Sequence, residues 1–254
     1  MAHSGPVWCK PQSMRPLESC PRIAVLMPAR NEGRALVETL LSLRDAAVPH
    51  DITVFVVDDG GEPAIELAAL PPSAAAFQVV LARHITNLGQ GAALETARQL
   101  AVLRGFDAYV TMDSDGQHSA ADALALAQEI VHGADVAFGN RFLGDSNVPR
   151  ARAVLLVLAR WFERVLTGLP LADAHNGLRA FSARAVHYIV IRQNRMAHAT
   201  EIKLRVAGAP SLEIVEVPVS VRYTTASLAK GQSAFGAARI LRDLALHYLF
   251  GEAS

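Results

Sequence analysis

The chain has few cysteines, few charged residues and no long apolar run, and each shortage excludes a class of protein. Both cysteines, Cys9 and Cys20, lie within the first twenty residues, so disulfides cannot hold the body of the chain together and a reducing compartment is expected. Only 19% of the 254 residues are charged, with 24 Lys and Arg against 24 Asp and Glu, which argues against broad nucleic-acid binding. The most apolar run, 153–159, is far shorter than the roughly 20 residues of a membrane span.

The first residues lack the features of a targeting segment. Residues 1–21 contain four prolines, show no hydrophobic periodicity and have neither the basic start nor the apolar stretch of a signal peptide. We interpret them as a flexible leader. This favours a cytoplasmic protein, and peripheral contact with the inner face of the cytoplasmic membrane is compatible with it.

From residue 22 onwards, short apolar runs alternate with segments of helical periodicity. Strands are predicted over 23–27, 52–57, 77–82, 108–112 and 135–138, and helices over 32–46, 90–104 and 120–132, with a short helix before Pro71. This alternation is typical of βαβ units, so it predicts an α/β fold with a mainly parallel central sheet flanked by helices.

After about residue 140, the order of the predicted elements changes. The pattern predicts helices over 150–167, 198–207 and 232–250, and strands over 178–181 and 212–223. Pro218 lies inside the last of these strands. It indicates an edge strand or a bulge, because proline cannot donate a hydrogen bond to a neighbouring strand.

Polar residues follow four of the predicted strands, at 28–32, 58–60, 113–118 and 139–142. Ligands commonly bind beyond the C-terminal ends of parallel strands. One such cluster can arise by chance, but four clusters on the same edge of a sheet indicate a site. For Glu32, the alternative is an interaction with the dipole of the helix that follows.

Asp113 and Asp115 are the sharpest signal in the sequence. Alternate residues that leave a strand can aim two carboxylates into one space, where they repel each other unless a cation joins them. Oxygen ligands select Mg²⁺ or Mn²⁺, and Gln117 offers a third oxygen. The alternative is a turn in which an aspartate caps the next helix, but the preceding apolar strand and the neighbouring clusters favour a metal site.

Two further motifs leave their interpretation open. Asp58 and Asp59 end a strand and could accept hydrogen bonds from a nucleobase or ribose, or could simply form a turn and a helix cap. The segment 87–93 lacks the third glycine of a dinucleotide fingerprint, so we interpret it as a turn that packs a helix closely. His118 and His175 lie near predicted loops and are expected to be structural rather than catalytic.

The segment between Val217 and Arg242 contains no acidic residue but several basic ones, including Lys230. Its polar loop at 222–233 is suited to binding phosphate. The helix that follows either packs on the domain or rests partly on an anionic membrane surface.

Seven motifs together carry a resemblance to a known family. They are Met-Pro-Ala-Arg-Asn-Glu at 27–32, Val-Val-Asp-Asp-Gly at 56–60, Asn-Leu-Gly-Gln-Gly at 87–91, Met-Asp-Ser-Asp-Gly-Gln-His at 112–118, Gly-Asn-Arg-Phe at 139–142, Asp-Ala-His-Asn-Gly-Leu-Arg at 173–179 and Glu-Val-Pro-Val at 216–219. Each is weak alone. In this order they resemble the family-2 glycosyltransferases with the GT-A fold, most of all the branch of dolichyl-phosphate mannose synthase and the bacterial polyprenyl-phosphate sugar synthases.

The resemblance implies a GT-A (Rossmann-like) nucleotide-diphospho-sugar transferase fold, a nucleotide-diphosphate sugar as donor and one Mg²⁺ or Mn²⁺ ion. With the pattern above, it implies a single domain over 22–254. This domain has a nucleotide-sugar half at 22–140, an acceptor half at 141–233 and a C-terminal amphipathic helix at 234–254. The implied reaction is an inverting transfer, in which the acceptor attacks the anomeric carbon in line with the departing nucleoside diphosphate.

The resemblance also implies roles for individual residues. Those expected to bind the donor are Pro28, Ala29, Arg30, Glu32, Asp58, Asp59, Asn87 and Asp113. Those expected to bind the metal are Asp113, Asp115 and Gln117. Arg141 and Arg179 are expected to face the sugar diphosphate or the acceptor's phosphate, and Lys230 the acceptor's phosphate. The candidates for a catalytic role are Asp115, Arg141 and Glu201.

The nature of the acceptor decides whether the reaction needs a general base. A polyprenyl phosphate is already an anionic nucleophile, whereas a hydroxyl of a glycan has to lose a proton. Glu201 falls near the position where hydroxyl-glycosylating relatives carry an acidic pair, but Ile202 replaces the second acid. Glu201 is therefore either a base or a structural carboxylate.

Two departures from the family pattern bear on substrate binding. Gly61 stands where the family commonly has a serine, which bears on the contacts with the nucleoside. The C-terminal membrane helices of many polyprenyl-phosphate enzymes are missing, so a lipid acceptor is expected to be met peripherally.

Two other classes compete with this interpretation. A sugar-phosphate nucleotidyltransferase also places aspartates and Mg²⁺ after strands, but it carries a glycine-rich loop after the first strand, where this chain has residues 28–32. A non-catalytic nucleotide-sugar binding subunit is disfavoured by the intact Asp113 and Asp115.

Overall fold

The computed structural model describes most of the chain between Cys20 and Val221. Within this range, the residues left undescribed are 49, 144–163, 165, 166, 170, 172, 174, 175 and 196. Residues 1–19 of the predicted leader, most of the predicted helix at 150–167, the loop at 222–233 and the last helix therefore lie outside the described residues. Lys230 and His175 lie outside them too.

One sheet of seven strands forms the centre of the described structure. The strands are β1 (Arg22–Ala29), β2 (Asp51–Asp58), β3 (Phe77–Arg83), β4 (Ala108–Thr111), β5 (Val136–Asn140), β6 (Arg179–Ser182) and β7 (Ile214–Pro218). Their spatial order is β3-β2-β1-β4-β6-β5-β7, and of these seven β6 alone runs antiparallel to its neighbours. The prediction of a mainly parallel sheet is confirmed.

Helices connect these strands and cover both faces of the sheet. The described α-helices are α1 (Arg34–Asp45), α2 (Gln90–Val102), α3 (Ala120–Val131) and α4 (His198–Gly208), and the 3₁₀ helices are Leu67–Ala69 and Ala185–His187. The side chain of Ser119 caps α3 by accepting the backbone N–H of Asp122 at 3.0 Å. None of these helices is long and apolar enough to cross a membrane.

Two apolar clusters form the core, one on each face of the sheet. Along β1, Ile23 and Val25 belong to the cluster beneath α1 and α3, whereas Ala24 and Leu26 belong to the cluster beneath α2 and α4. Successive side chains of a strand point to opposite faces, so a strand covered on both sides has a continuous apolar sequence. Polar residues therefore gather at the strand ends, where the helices leave the sheet uncovered.

The last strand, β7, is an edge strand and is shorter than the predicted segment at 212–223. It ends at Pro218, which has no N–H to donate. Beyond it, the N–H of Val219 donates to the carbonyl oxygen of Asn140 at 3.2 Å, and Val221 forms an isolated bridge with His118. The edge position is confirmed. The strand is shorter because the alternating pattern continues past the proline that ends the ladder.

Candidate active site

The C-terminal ends of β1, β2 and β4 lie side by side and border an open cleft of about 330 Å³. The parallel register aligns these ends, since Ala29 of β1 pairs with Asp58 of β2, and Leu26 pairs with Thr111 of β4. The lining residues are Pro28, Ala29, Arg30, Glu32, Asp59, Asn87, Gly89, Gln90, Asp113, Ser114 and Asp115. The structure thus brings eight of the residues predicted for the site into one place.

The turn after β4 holds Asp113 between two other segments. The hydroxyl of Ser114 donates to the carbonyl oxygen of Pro28 at 2.9 Å, which ties this turn to the end of β1. Asp113 Oδ1 accepts a hydrogen bond from Gln90 Nε2 at 2.7 Å. A Cβ atom at Gly177 would lie 2.6 Å from Asp113 Oδ2, so a glycine is needed where this backbone passes the carboxylate.

The surroundings of the two carboxylates after β4 oppose their joint ionisation. Burial raises the pKa of Asp113, and the neighbouring charge of Asp115 raises it further. The nearby charges of His118 and Arg179 oppose this rise without cancelling it. A cation bound between the two carboxylates would favour the charged form of both.

His118 lies close to both carboxylates and is 9% exposed. Burial lowers the pKa of its imidazole, despite the opposing effect of the two aspartates. Its Nδ1 atom has no hydrogen-bond partner among the residues that the structure describes. Buried polar atoms normally have a hydrogen-bond partner, so a water molecule or a ligand would satisfy this nitrogen.

Gln117 is turned towards Asp115. Its backbone N–H donates to Asp115 Oδ1 at 3.0 Å, and its side-chain Nε2 contacts Asp115 Oδ2. Among the described residues, no three His, Cys, Asp or Glu side chains form a group that could hold a metal. Two carboxylates and an amide would leave coordination positions open. This suits Mg²⁺, which usually keeps waters and binds the phosphates of a substrate.

Asp58 at the end of β2 is entirely enclosed and builds the loop that follows. Its side chain is 0% exposed, and its oxygens accept the backbone N–H groups of Gly61 at 2.8 Å and Ile65 at 3.1 Å. Arg83 Nη1 lies 3.6 Å from the same carboxylate. A Cβ at Gly61 would lie 2.8 Å from Oδ1 of both Asp58 and Asn31, so glycine suits this position better than serine.

Asp59 lines the cleft while its oxygens hold the next loop. It accepts hydrogen bonds from His84 Nδ1 at 2.8 Å and from the backbone N–H groups of Leu88 and Gly89 at 2.9 and 2.7 Å. Burial raises the pKa of Asp59, but the hydrogen bonds from His84 and the two N–H groups outweigh it, so the net shift is downward. This carboxylate is charged without the help of a cation.

The segment 87–93 packs the start of α2 closely against another loop, as predicted. A Cβ on Gly89 or Gly91 would overlap the backbone carbonyls of Asn194 and Gln193. The carbonyl oxygen of Asn194 also accepts the N–H of Gly91 at 2.8 Å. This N–H is therefore not offered to a phosphate, in contrast to the glycine-rich helix start of a dinucleotide site.

Glu201 of α4 holds the loop that covers this helix start. Its Oε2 accepts the backbone N–H groups of Arg192 and Gln193 at 2.9 and 2.8 Å, and its Oε1 accepts a hydrogen bond from Arg205 at 3.1 Å. It does not belong to the lining of the cleft. Of the two interpretations of Glu201, these contacts favour the structural carboxylate.

The two arginines expected near phosphate are buried beside the cleft rather than in its lining. Arg141 is 7% exposed, and its Nε donates to Asp173 Oδ2 at 2.6 Å. Arg179 begins β6 and lies near enough to Asp113 for its charge to act on that carboxyl. The charge of Arg179 thus acts on Asp113, and that of Arg141 acts on His118.

Three contributors to the site had no functional role in the sequence-based prediction, namely Gln90, Ser114 and His84. Gln90 was expected only to begin a helix, and its contact with Asp113 depends on how α2 lies against β4. His84 directly follows β3, so a search for polar residues at strand ends could have found it. Ser114 lies inside the motif already singled out, but its bond to β1 needs the tertiary structure.

Comparison with known proteins shows the family to which the chain belongs. A family model described as Glycosyl transferase family 2 matches residues 24–189. An uncharacterized protein of Methanocaldococcus jannaschii is 29% identical over 234 residues, which cover 90% of this chain and 93% of the relative. The undecaprenyl-phosphate mannosyltransferase of Micrococcus luteus is 31% identical over 210 residues (78% and 83%), and the polyprenol monophosphomannose synthase of Mycolicibacterium smegmatis is 28% identical over 220 residues (83% and 80%).

Solved structures share the fold at lower identity. The crystal structure of glucosyl-3-phosphoglycerate synthase from M. tuberculosis matches with a TM-score of 0.61 at 16% identity, over 90% of this chain and 80% of that one. At this identity the likeness shows the fold alone. It confirms the expected GT-A architecture.

Proposed function

The chain belongs to glycosyl transferase family 2, and on that premise we propose that it transfers a sugar from a nucleotide-diphosphate sugar to a polyprenyl phosphate, with inversion at the anomeric carbon. Two relatives similar over most of their length are named for undecaprenyl phosphate and polyprenol. The observation that carries the proposal is the pair Asp113 and Asp115, which lies in a cleft lined by the ends of three parallel strands.

The nucleoside of the donor is proposed to lie along the end of β1. Pro28 and Ala29 offer backbone and apolar surface there, and the polar lining around them is Arg30, Glu32, Asp59 and Asn87. Asp59 presents a fixed, charged edge that suits the hydroxyl donors of a ribose or the N–H donors of a base. Asp58 is enclosed, so we expect it to act on the donor through the loop that it shapes.

A divalent cation, Mg²⁺ or Mn²⁺, fits the residues after β4. Asp113, Asp115 and Gln117 would hold it, and its charge would oppose the burial and the repulsion from Asp115 that raise the pKa of Asp113. When bound, such an ion would neutralise the charge that builds on the departing diphosphate. Crystals of the M. tuberculosis enzyme with the same fold contain Mn²⁺ together with uridine diphosphate.

A phosphate acceptor is favoured because the contacts of Glu201 are those of a structural carboxylate rather than of a general base. Glu201, the candidate base, is occupied by backbone N–H groups. An acceptor phosphate oxygen needs no deprotonation, so positioning and electrostatics suffice. As its bond to the anomeric carbon forms, the bond from that carbon to the nucleoside diphosphate breaks on the opposite face. The donor's bonding electrons leave with the diphosphate.

The basic residues of the acceptor half are proposed to attract the two anionic substrates. Arg179 acts on Asp113 by its charge, and the buried Arg141 directly follows β5. Lys230 lies in the predicted basic loop at 222–233, outside the described residues. We assign this loop and the helix at 234–254 to the contact with a membrane, at the inner face of the cytoplasmic membrane. We also propose that 22–254 act as one domain.

A donor screen tests this proposal. The protein is incubated with a panel of nucleotide-sugars and Mn²⁺ or Mg²⁺, either without acceptor, with undecaprenyl phosphate or with a glycan that has free hydroxyls, and the released nucleoside diphosphate is measured. Release that the lipid stimulates and EDTA abolishes is the expected result. Release stimulated by a glycan with free hydroxyls, and not by the lipid, would contradict the acceptor. The matched controls are Asp115→Ala and Asp45→Ala, since Asp45 is an exposed residue at the end of α1.

A further inference from the structure

A series of hydrogen bonds behind the cleft connects helix α2 to Asp59. The ring of His84 lies between them, with Nδ1 2.8 Å from Asp59 Oδ1 and Nε2 2.9 Å from Thr96 Oγ1. The side chains of His84 and Asp59 are 11% and 5% exposed, so water competes little for these contacts. The backbone N–H of His84 donates to the carbonyl oxygen of Asp58 at 2.9 Å, which anchors the ring to the end of β2.

The partners of His84 determine which ring nitrogen carries the proton. The pKa of Asp59 is lowered, so its carboxylate is ionised and only accepts hydrogen bonds. Nδ1 therefore carries a proton and donates a hydrogen bond to Asp59. In the neutral ring, Nε2 carries no proton and accepts a hydrogen bond from the hydroxyl group of Thr96. Both ring nitrogens then have a hydrogen-bond partner.

Asp59 passes this constraint on to the lining of the cleft. Its oxygens accept the backbone N–H groups of Leu88 and Gly89, and the next residue, Gln90, donates to Asp113 Oδ1 at 2.7 Å. The loop at 87–90 is therefore hydrogen-bonded both to Asp59 and to Asp113, the proposed metal ligand. We therefore expect a shift of Asp59 to displace Asn87 and Gln90, which line the cleft.

Thr96, His84 and Asp59 are hydrogen-bonded in the same order as the hydroxyl, imidazole and carboxylate groups of a triad in nucleophilic catalysis. Here the hydroxyl belongs to a residue outside the lining of the cleft. Asp59 lines the cleft, whereas Thr96 and His84 are not among the described residues that line it. The geometry therefore favours a role in holding the residues of the cleft in place rather than a role in the reaction.

We propose that His84 is a positioning residue for the binding of the donor and its cation. Its Nδ1–H fixes Asp59, and Asp59 fixes the loop that brings Asn87 and Gln90 into the cleft. The proposal deepens the proposed function and rests on it. It assigns His84 no contact with substrate, so a change at His84 should weaken donor binding without removing a group that takes part in the reaction.

The protonation of the ring is tested first, by long-range ¹H–¹⁵N NMR of histidine side chains at mildly alkaline pH. The expected result is a neutral Nδ1–H tautomer for His84, assigned by its loss in His84→Asn. In Thr96→Val, which keeps the shape of Thr96 but lacks the hydroxyl, the Nε2 signal should move. An Nε2–H tautomer in the wild-type protein would overturn the proposal. This measurement does not depend on the enzymatic activity.

Donor binding is tested next, by titrating the protein with Mn²⁺ and the nucleoside diphosphate that the donor screen selects. His84→Phe is expected to weaken binding by about tenfold or more, because a charge-assisted hydrogen bond is lost. His84→Asn keeps an N–H donor near the position of Nδ1, so its affinity should stay within about threefold of wild type. The matched control is His132→Phe, an exposed residue at the end of α3.

The outcomes separate this proposal from the proposed function. If the wild-type protein binds no nucleoside diphosphate, the proposed function fails, and with it the role of His84 in donor binding. If the wild type binds but His84→Phe and Thr96→Val bind equally well, only the role of His84 is contradicted. If His84→Phe does not fold, Thr96→Val decides, with a smaller loss of affinity expected than for His84→Phe. A KM for the donor that rises while kcat is maintained supports positioning.

Discussion

The ends of β2 and β4 each carry two nearby aspartates, and the two pairs have opposite surroundings. At the end of β2, both carboxylates accept backbone N–H groups, and the pKa of Asp59 is lowered although its burial acts to raise it. At the end of β4, burial raises the pKa of Asp113 and the charge of Asp115 adds to the rise. The same residue type thus holds a loop in one place and forms a pair that resists joint ionisation in the other.

The comparison shows that hydrogen-bond partners decide what an aspartate at a strand end does. A carboxylate held by several fixed hydrogen-bond donors keeps its charge and stabilises the loop to which those donors belong. A carboxylate that faces another carboxylate costs stability until a cation arrives. We therefore expect the β4 pair to be essential for turnover and dispensable for folding, and Asp58 to be needed for folding.

The largest expected effect is the loss of turnover when the β4 pair is broken. Asp115→Asn should lower kcat/KM by about a thousandfold or more, because a ligand to the proposed cation is lost. The free energy of unfolding without metal should stay equal to wild type or rise, since the repulsion on Asp113 is relieved. Steady-state release of nucleoside diphosphate and denaturant unfolding measure the two effects. Wild-type turnover in this variant would contradict the assignment.

The converse effect is expected at the end of β2. Asp58→Ala leaves two buried N–H groups, those of Gly61 and Ile65, without their acceptor. We expect the free energy of unfolding to fall by about 3 kcal/mol, as for other buried groups that lose a charged partner. Urea denaturation measures the change, with the exposed Asp45→Ala as control. A loss no larger than that of the control would remove the distinction between the two pairs.

The buried side chain of His198 makes the stability of the fold depend on pH. His198 is hydrogen-bonded, with Nδ1 2.7 Å from the carbonyl oxygen of Arg195, yet burial and then the charge of Arg179 lower the pKa of its imidazole to about 4. The unfolded ring takes up a proton near pH 6.5, so the unfolded state binds more protons between pH 6.5 and 4. Stability should therefore fall as the pH falls through this window, by about 3 kcal/mol in total.

Removal of the titrating ring isolates this contribution. His198→Asn keeps a side-chain N–H for the carbonyl of Arg195 but does not titrate in this range. The difference in unfolding free energy between wild type and variant should change with pH between 6.5 and 4, in favour of the variant at low pH. Parallel stability curves for the two proteins would show that the imidazole is not desolvated as the structure indicates.

The smallest expected effect separates the charge of Arg83 from the backbone donors at Asp58. Arg83 is 38% exposed and lies 3.6 Å from the carboxylate, so solvent screens this ion pair. Arg83→Met should lower the free energy of unfolding by less than about 1 kcal/mol. If its loss equals that of Asp58→Ala, the arginine rather than the backbone holds the β2 carboxylate.

The sequence predicts the fold where local patterns determine it. The apolar runs of β1 to β5 and the helical periodicity of α1 to α3 place these elements to within a few residues. The end of β7 is less well predicted because alternation continues after Pro218. Strand order follows from neither pattern, and the antiparallel insertion of β6 between β4 and β5 depends on long-range packing.

The candidate site is predictable in its outline and not in its internal contacts. Seven of the eight predicted cleft-lining residues lie in clusters at the C-terminal ends of predicted strands, and Asn87 was predicted from the motif at 87–91. The contact of Gln90 with Asp113 spans 23 residues, and that of Arg141 with Asp173 spans 32. Such contacts depend on how separate elements pack. The same holds for Glu201, whose backbone partners decide between base and structural carboxylate.

Binding of Mn²⁺ in the presence of a nucleoside diphosphate tests the central claim most directly, because it reports on the β4 pair without requiring the correct acceptor. Electron paramagnetic resonance titrations would compare wild type, Asp115→Asn and the exposed control Asp45→Asn. The account predicts that wild type and control bind Mn²⁺ alike and that Asp115→Asn binds it at least about tenfold more weakly. Unchanged Mn²⁺ affinity in Asp115→Asn, with its fold intact, would contradict the account.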